Sequence, residues 1–243
     1  MNNRRKKILQ ELGLTPIWKK RTDSTPESLT SESRETTSAT MKDLPASASE
    51  VTCDHPVHSM NWDQLKLTVS NCTACALCET RKNTVFGVGD EQADWLFVGE
   101  GPGAREDEIG EPFVGQAGKL LDQMLTAIGL KRGSNVYIAN IVKCRPPNNR
   151  NPSDTEASAC EPFLNRQIQL IAPKLIVALG KVSAGNLLNR NDSLSSMRGK
   201  VHEYSGIPLI VTYHPAYLLR ALPDKAKAWK DLCFAKATME SLL

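Results

Sequence analysis

No stretch of this sequence approaches the roughly 20 consecutive apolar residues that a membrane-spanning helix requires, and nothing in it resembles a cleaved signal peptide. A membrane partner is therefore not expected, and the cytoplasm is the expected location. In that reducing compartment the 7 cysteines would stay free to bind metal rather than pair as disulfides. Charge of one sign is also scarce. Lys+Arg 30 against Asp+Glu 27 leaves a net charge of +3, too little to establish an acidic partner by itself. There is no internal repeat, and no Gly-Lys-Ser/Thr follows the glycine-rich stretch, which disfavours a phosphate loop. What is present is a 243-residue chain with 40% hydrophobic residues, enough for one α/β domain with appendages.

The organisation changes sharply along the chain. Residues 1–22 are basic and mildly amphipathic, with Ile8, Leu9, Leu12 and Leu14 at loosely helical spacing. This segment is read as a solvated tail able to engage DNA or a protein. Residues 23–61 are rich in Ser, Thr, Glu and Pro, a composition that cannot bury enough apolar surface to offset the cost of ordering, and a disordered linker is expected. From residue 62 onward four short β-rich runs appear, at 95–100, 136–142, 175–180 and 208–215. Helical patterns separate them. One carries the apolar stripe Leu120, Leu121, Met124, Leu125 and Ile128; another opens with a capping box from Ser153 to Glu156. Near-continuous apolar strands alternating with helices predict a parallel sheet covered on both faces.

In open α/β sheets, ligands bind beyond the carboxyl ends of the strands. Here those ends carry Gly99 through Asp107, then Asn140 with Lys143-Cys144-Arg145, then Tyr213-His214-Pro215. The glycines of "GEGPG" let the backbone approach a ligand closely, although a tight turn accounts for them equally well. Asn140 is more telling. A carboxamide in an apolar strand costs a few kcal/mol unless its polar atoms are paired, either structurally or by the edge of a base.

The cysteines set a separate problem. "NCTACALC" gathers Cys72, Cys75 and Cys78, and Cys144 and Cys160 follow as a C-x15-C pair around a Pro/Asn-rich loop. Zinc ribbons use two C-x2-C knuckles, so the second pair suits zinc poorly. Four thiolates drawn from loop and helix suit a [4Fe–4S] cluster better, with zinc and unrelated buried thiols as the other readings. Cys53, His55 and His58 near the linker lack a second pair at zinc-finger spacing.

From about residue 70 to the end, the motifs "CTAC…CETRKNTVFGVGD", "VGEGPGAREDEIGEPFVGQAG", "NIVKCRPPNNRNP" and "YHPAYLLR" occur in one order. In this the chain resembles the family 4 uracil-DNA glycosylases, the iron–sulfur bacterial and archaeal branch. The resemblance implies a three-layer α/β/α fold with a central four-stranded parallel sheet, spanning residues 62–243 and acting as a monomer. It implies that Cys72, Cys75, Cys144 and Cys160 ligate a [4Fe–4S] cluster, leaving Cys78, Cys53 and Cys233 as ordinary thiols. It implies a DNA repair enzyme that flips uracil out of single- or double-stranded DNA and hydrolyses its N-glycosidic bond.

The same resemblance places Phe113 against the uracil face, Asn140 on O4 and N3–H, and Glu100 and Gly101 beside the base. His214 would donate to O2 as negative charge develops there. Glu106 would orient or deprotonate water, with Glu100 and Asp107 as helpers. The better-known branch has an aspartate where this chain has Gly101. Arg145, Arg150, Arg198, Lys200 and Arg220 are candidate phosphate contacts, and Leu218 and Leu219 candidate wedges into the vacated stack. Two other classes remain open at this level: a damage-binding protein that captures uracil without turnover, and an iron–sulfur or zinc module with no base chemistry.

Overall fold

The computed structural model describes residues 57–242. The basic segment 1–22, most of the expected linker, Cys53 and His55 lie outside the described residues. Residues 57–61 are nevertheless part of the fold. Val57–Ser59 form a 3-10 turn, Met60 is buried, and the Met60 carbonyl accepts a 2.6 Å hydrogen bond from Arg166 Nε.

Six strands form one sheet: β1 (Val88–Gly89), β2 (Trp95–Gly99), β3 (Val136–Asn140), β4 (Leu175–Leu179), β5 (Val201–Tyr204) and β6 (Ile207–Thr212), in the spatial order β1-β3-β2-β4-β6-β5. The four inner strands are mutually parallel, as the apolar runs predict. Two antiparallel edge strands extend that expectation. Both escaped sequence reading for physical reasons: β1 is only two residues long, and β5 alternates exposed and half-buried positions rather than forming an apolar run.

The eight helices among the described residues are α1 (Trp62–Ser70), α2 (Ala104–Ile109), α3 (Gln116–Ala127), α4 (Asp154–Ile171), α5 (Lys181–Leu188), α6 (Leu194–Met197), α7 (Pro215–Leu218) and α8 (Lys225–Glu240). The pleat sorts strand side chains into two cores. Leu96, Val98, Ile176, Ala178, Leu209 and Val211 pack with residues of α1, α4 and α5. Trp95, Phe97, Ile138, Val177 and Ile210 pack with residues of α3 and α8. This makes the predicted three layers. The capping box at Ser153 and Glu156 is present, and no described helix is long and apolar enough to cross a membrane.

Register decides where the polar residues fall. Gly99 pairs with Asn140, Val98 with Ala178, and Leu179 with Thr212. The ends of β2, β3, β4 and β6 therefore open on one rim.

Candidate active site and cysteine recess

Because Gly99 and Asn140 are register partners on adjacent strands, the Asn140 side chain stands beside a position that has none. A Cβ on Gly99 would lie 2.4 Å from Asn140 Oδ1 and 2.6 Å from Phe113 Cζ. The glycine is thus required by the close approach of carboxamide and ring. Asn140 is 1% exposed, and its Oδ1 has no hydrogen-bond partner among the described residues. An unpaired buried carbonyl costs of order 1–3 kcal/mol, and such an atom calls for an explanation.

Phe113 is held in a backbone conformation that side chains disfavour, at φ 55°. Arg132 fixes it. Its guanidinium donates to the carbonyls of Pro112 and Phe113 at 2.8 Å each and to Asp122 Oδ1 at 2.9 Å. From the other side, Gly118 lets helix α3 come so close that an added Cβ would overlap the Phe113 carbonyl. Strain of this kind persists only where surroundings impose it, and it gathers at functional sites. The Phe113 ring lies 5.6 Å from the His214 imidazole, tilted by 32°.

His214 caps helix α7. Its Nδ1 accepts from the Ala216 amide at 3.2 Å, which leaves the ring proton of the neutral imidazole on Nε2. Burial, aided by the Arg220 charge and opposed by Glu106, lowers its pKa to about 4. The ring is therefore a neutral N–H donor at physiological pH. Beneath it, Arg198 donates to both carboxylate oxygens of Asp231 (2.7 and 2.9 Å), and Asp231 Oδ2 also accepts from Thr212 Oγ1 at 2.9 Å. The Arg198 guanidinium also covers the Tyr213 ring at 4.2 Å. Arg198 is thus a structural cation rather than a free phosphate contact.

The two neighbouring carboxylates of α2 point to different work. Glu106 Oε1 accepts from the amides of Val114 and Gly115, at 3.0 Å each, on the loop that carries Phe113. Asp107 is 2% exposed and accepts from the amides of Lys82 and Asn83 at 2.9 and 3.3 Å. Asp107 therefore anchors the segment after the cysteine loop, and the helper role expected for it is not supported. Glu100 is half-buried at the rim, and desolvation raises its pKa. Gly101 sits against Val142, whose Cγ2 lies 2.8 Å from where a Cβ would be. Of the two candidate wedges, Leu218 is 1% exposed and belongs to the core, whereas Leu219 is 42% exposed.

Cys72, Cys75, Cys144 and Cys160 border a single recess with Arg81 and Lys143, and Cys78 is not among its lining residues. Arg81 Nη1 lies 3.1 Å from Cys144 Sγ, and the Lys143 amide 3.3 Å from Cys160 Sγ. Burial pushes the Cys160 thiol up to about 11 and raises Cys75 and Cys144. Among the described residues no three Cys, His, Asp or Glu side chains converge on one ion-sized point. Sulfurs framing a recess, with two cations beside them, fit a multi-atom anionic cluster better than a single zinc ion.

Sequence reading missed Gly118 and Arg132; it set Gly99 and Lys143 at the rim, but not the room Gly99 leaves for Asn140 and Phe113, nor any role for Lys143. The glycines announce nothing until a register is known, and Arg132 lies in a surface turn with no motif around it.

Comparison with known proteins gives the family. Residues 86–236 match the family model described as the uracil DNA glycosylase superfamily. The type-4 uracil-DNA glycosylase of Pyrobaculum aerophilum is 43% identical over 181 residues, covering 71% of this chain and 92% of that protein. That of Archaeoglobus fulgidus is 46% identical over 165 residues (65% and 82%), and that of Thermotoga maritima 47% over 154 (63% and 80%). The chain belongs to this superfamily, and within it to the type-4 uracil-DNA glycosylases.

Proposed function

We propose that the chain hydrolyses the bond between uracil N1 and deoxyribose C1′ in DNA, releasing free uracil and leaving an abasic site. The observation that carries this reading is the buried, unpaired Oδ1 of Asn140, next to the Phe113 ring and on the same rim as His214. Uracil N3–H matches that acceptor, and O4 matches the amide Nδ2–H₂. Cytosine inverts both groups and would leave buried polar atoms opposed, a source of strong discrimination. The target nucleotide must leave the stack to reach this rim. Leu219 is the side chain that fills the vacated space, while Arg145, Lys200 and Arg220 contact phosphates.

Phe113 stacks on the base, and Glu100 and Gly101 border it, with the Gly101 amide as donor. As the N1–C1′ bond breaks, its electron pair passes to the ring, and His214 Nε2–H donates to O2 where the charge gathers. A neutral donor keeps its proton, so uracil departs as a stabilised anion. Glu106, fixed by the amides of Val114 and Gly115, orients water toward C1′ and accepts its proton as the C1′–O bond forms. The proton later returns to uracil N1.

Cys72, Cys75, Cys144 and Cys160, which line one recess, would hold a [4Fe–4S] cluster, and its chemistry there would be structural, stabilising the segments that carry these four cysteines. The enzyme acts as a cytoplasmic monomer. The role of residues 1–22 in holding DNA or a protein lies outside the described residues. The test is release of free uracil from single-stranded and duplex oligonucleotides beside a cytosine control. Tight binding without release would replace catalysis by capture.

A further inference from the structure

Lys143 is a fully buried cation that the mechanism above does not use. It is 1% exposed and forms no ion pair with a carboxylate among the described residues. Isolating an ammonium in this way is expensive unless something anionic compensates it. Its backbone amide points at Cys160 Sγ (3.3 Å), and the residue lines the recess that the four cysteines border.

The ammonium meanwhile reaches the base-reading strand. Nζ donates to the Asn140 carbonyl at 3.0 Å and to Gln167 Oε1 at 2.6 Å, and Gln167 Nε2 in turn donates to the Phe86 carbonyl at 3.0 Å. Strand geometry explains why that carbonyl needs a donor. The Ile141 amide bonds Gly99 on the β2 side, so the backbone groups of Asn140 face the opposite side, toward β1. There the ladder ends: β1 pairs only with Ile138 and Tyr137. The Lys143 side chain supplies the missing partner.

We propose that Lys143 is a positioning residue that couples the cysteine recess to uracil recognition, its ammonium being at once the counter-charge of the anionic cluster and the clamp on the Asn140 backbone. This rests on the cluster and base-reading assignments above. A cluster with four thiolate ligands is net anionic, which accounts for a buried lysine with no carboxylate beside it. Removing the cluster would strand the ammonium in an apolar setting and loosen the strand end that aims Asn140. Outer-shell partners of this kind typically matter by 10- to 100-fold.

The experiment compares the wild-type holoprotein with Lys143→Met, Asn140→Ala and the double variant. Three quantities are read: iron bound per chain, loss of visible absorbance under mild oxidant, and single-turnover uracil release against substrate concentration. Lys143→Met is expected to bleach several-fold faster and to turn over about 10- to 100-fold slower with half-saturation within about twofold. In the Asn140→Ala background, Lys143→Met is expected to add no further loss of rate while still accelerating bleaching, because the clamp acts through Asn140. Wild-type bleaching and rate in Lys143→Met, or a full multiplicative loss in the double variant, overturns the proposal. Should Lys143→Met not accumulate as folded protein, Gln167→Leu removes one acceptor of the ammonium, and an unchanged rate there overturns it equally. Failure of the underlying reading looks different: wild-type protein without iron, or Asn140→Ala with undiminished activity.

Discussion

The rings of His214 and Phe113 lie 5.6 Å apart, centroid to centroid, although they enter the site from β6 and from the loop before α3. The same Phe113 ring reaches the spot above Gly99 where Asn140 Oδ1 also arrives. One ring thus borders both the carboxamide proposed to read the base and the imidazole proposed to donate to its developing charge.

Gly99→Ala tests that convergence. The new methyl would be forced within 2.4 Å of Asn140 Oδ1 and 2.6 Å of Phe113, so carboxamide and ring must separate. Displacements of this size cost about 100-fold in rate. Uracil release should fall by about that factor while DNA binding, measured by anisotropy, changes little.

Asn140→Asp exchanges the amide donor for a carboxylate that repels O4. Uracil cleavage should slow, and the preference for uracil over cytosine should shrink by about tenfold or more. Parallel single-turnover assays on both bases give the ratio, and an unchanged ratio would remove Asn140 from base reading.

Glu106 has two separable duties. Glu106→Gln keeps an oxygen for the amides of Val114 and Gly115, so its melting temperature should stay close to wild type. Glu106→Ala leaves both amides unpaired, which costs about 1–3 kcal/mol for each. Both should lose about 100-fold or more in rate, since neither can take a proton from water. Thermal melts beside kinetics make the distinction.

His214 carries a pH signature. Its folded pKa is lowered from 6.5 to about 4, so between those values the unfolded chain binds a proton that the native state refuses. Stability from this group is complete above about 6.5 and is lost as pH falls toward 4, to a total of roughly 3 kcal/mol. A His214→Gln variant should lack that loss in denaturant titrations across the window. Uracil release by the wild type should show no histidine limb near pH 6.5, because the donor is already neutral there.

Leu218 and Leu219 separate packing from DNA contact. Leu218→Ala should lower stability by about 2–5 kcal/mol, as a core truncation does. Leu219→Ala should leave stability within about 0.5 kcal/mol and slow cleavage in duplex more than in single strands, where no stack need be held open.

The inner sheet was legible because β2, β3, β4 and β6 announce themselves as apolar runs, and such runs need cover on both faces. Asn140 and His214 stood out as polar residues closing those runs. The edges were not legible: β1 has too few residues for a pattern, and β5 faces solvent on one side. Asp107 looked like a catalytic neighbour of Glu106, because adjacency in sequence hides the roughly 100° that a helix turns between successive residues. Arg198 resembled a DNA contact until Asp231, far along the chain, proved to occupy it. Roles set by long-range partners leave no local trace.

Helix α8 supplies Asp231, the carboxylate that ties Thr212 and Arg198 together under the His214 turn. A ribosome completes every rim strand before it makes this helix. Nascent copies therefore possess all the residues named in the chemistry yet lack the carboxylate that joins Thr212 to Arg198 beside Tyr213. A truncation that spares the whole rim but removes this helix leaves Arg198 and Thr212 without their shared acceptor.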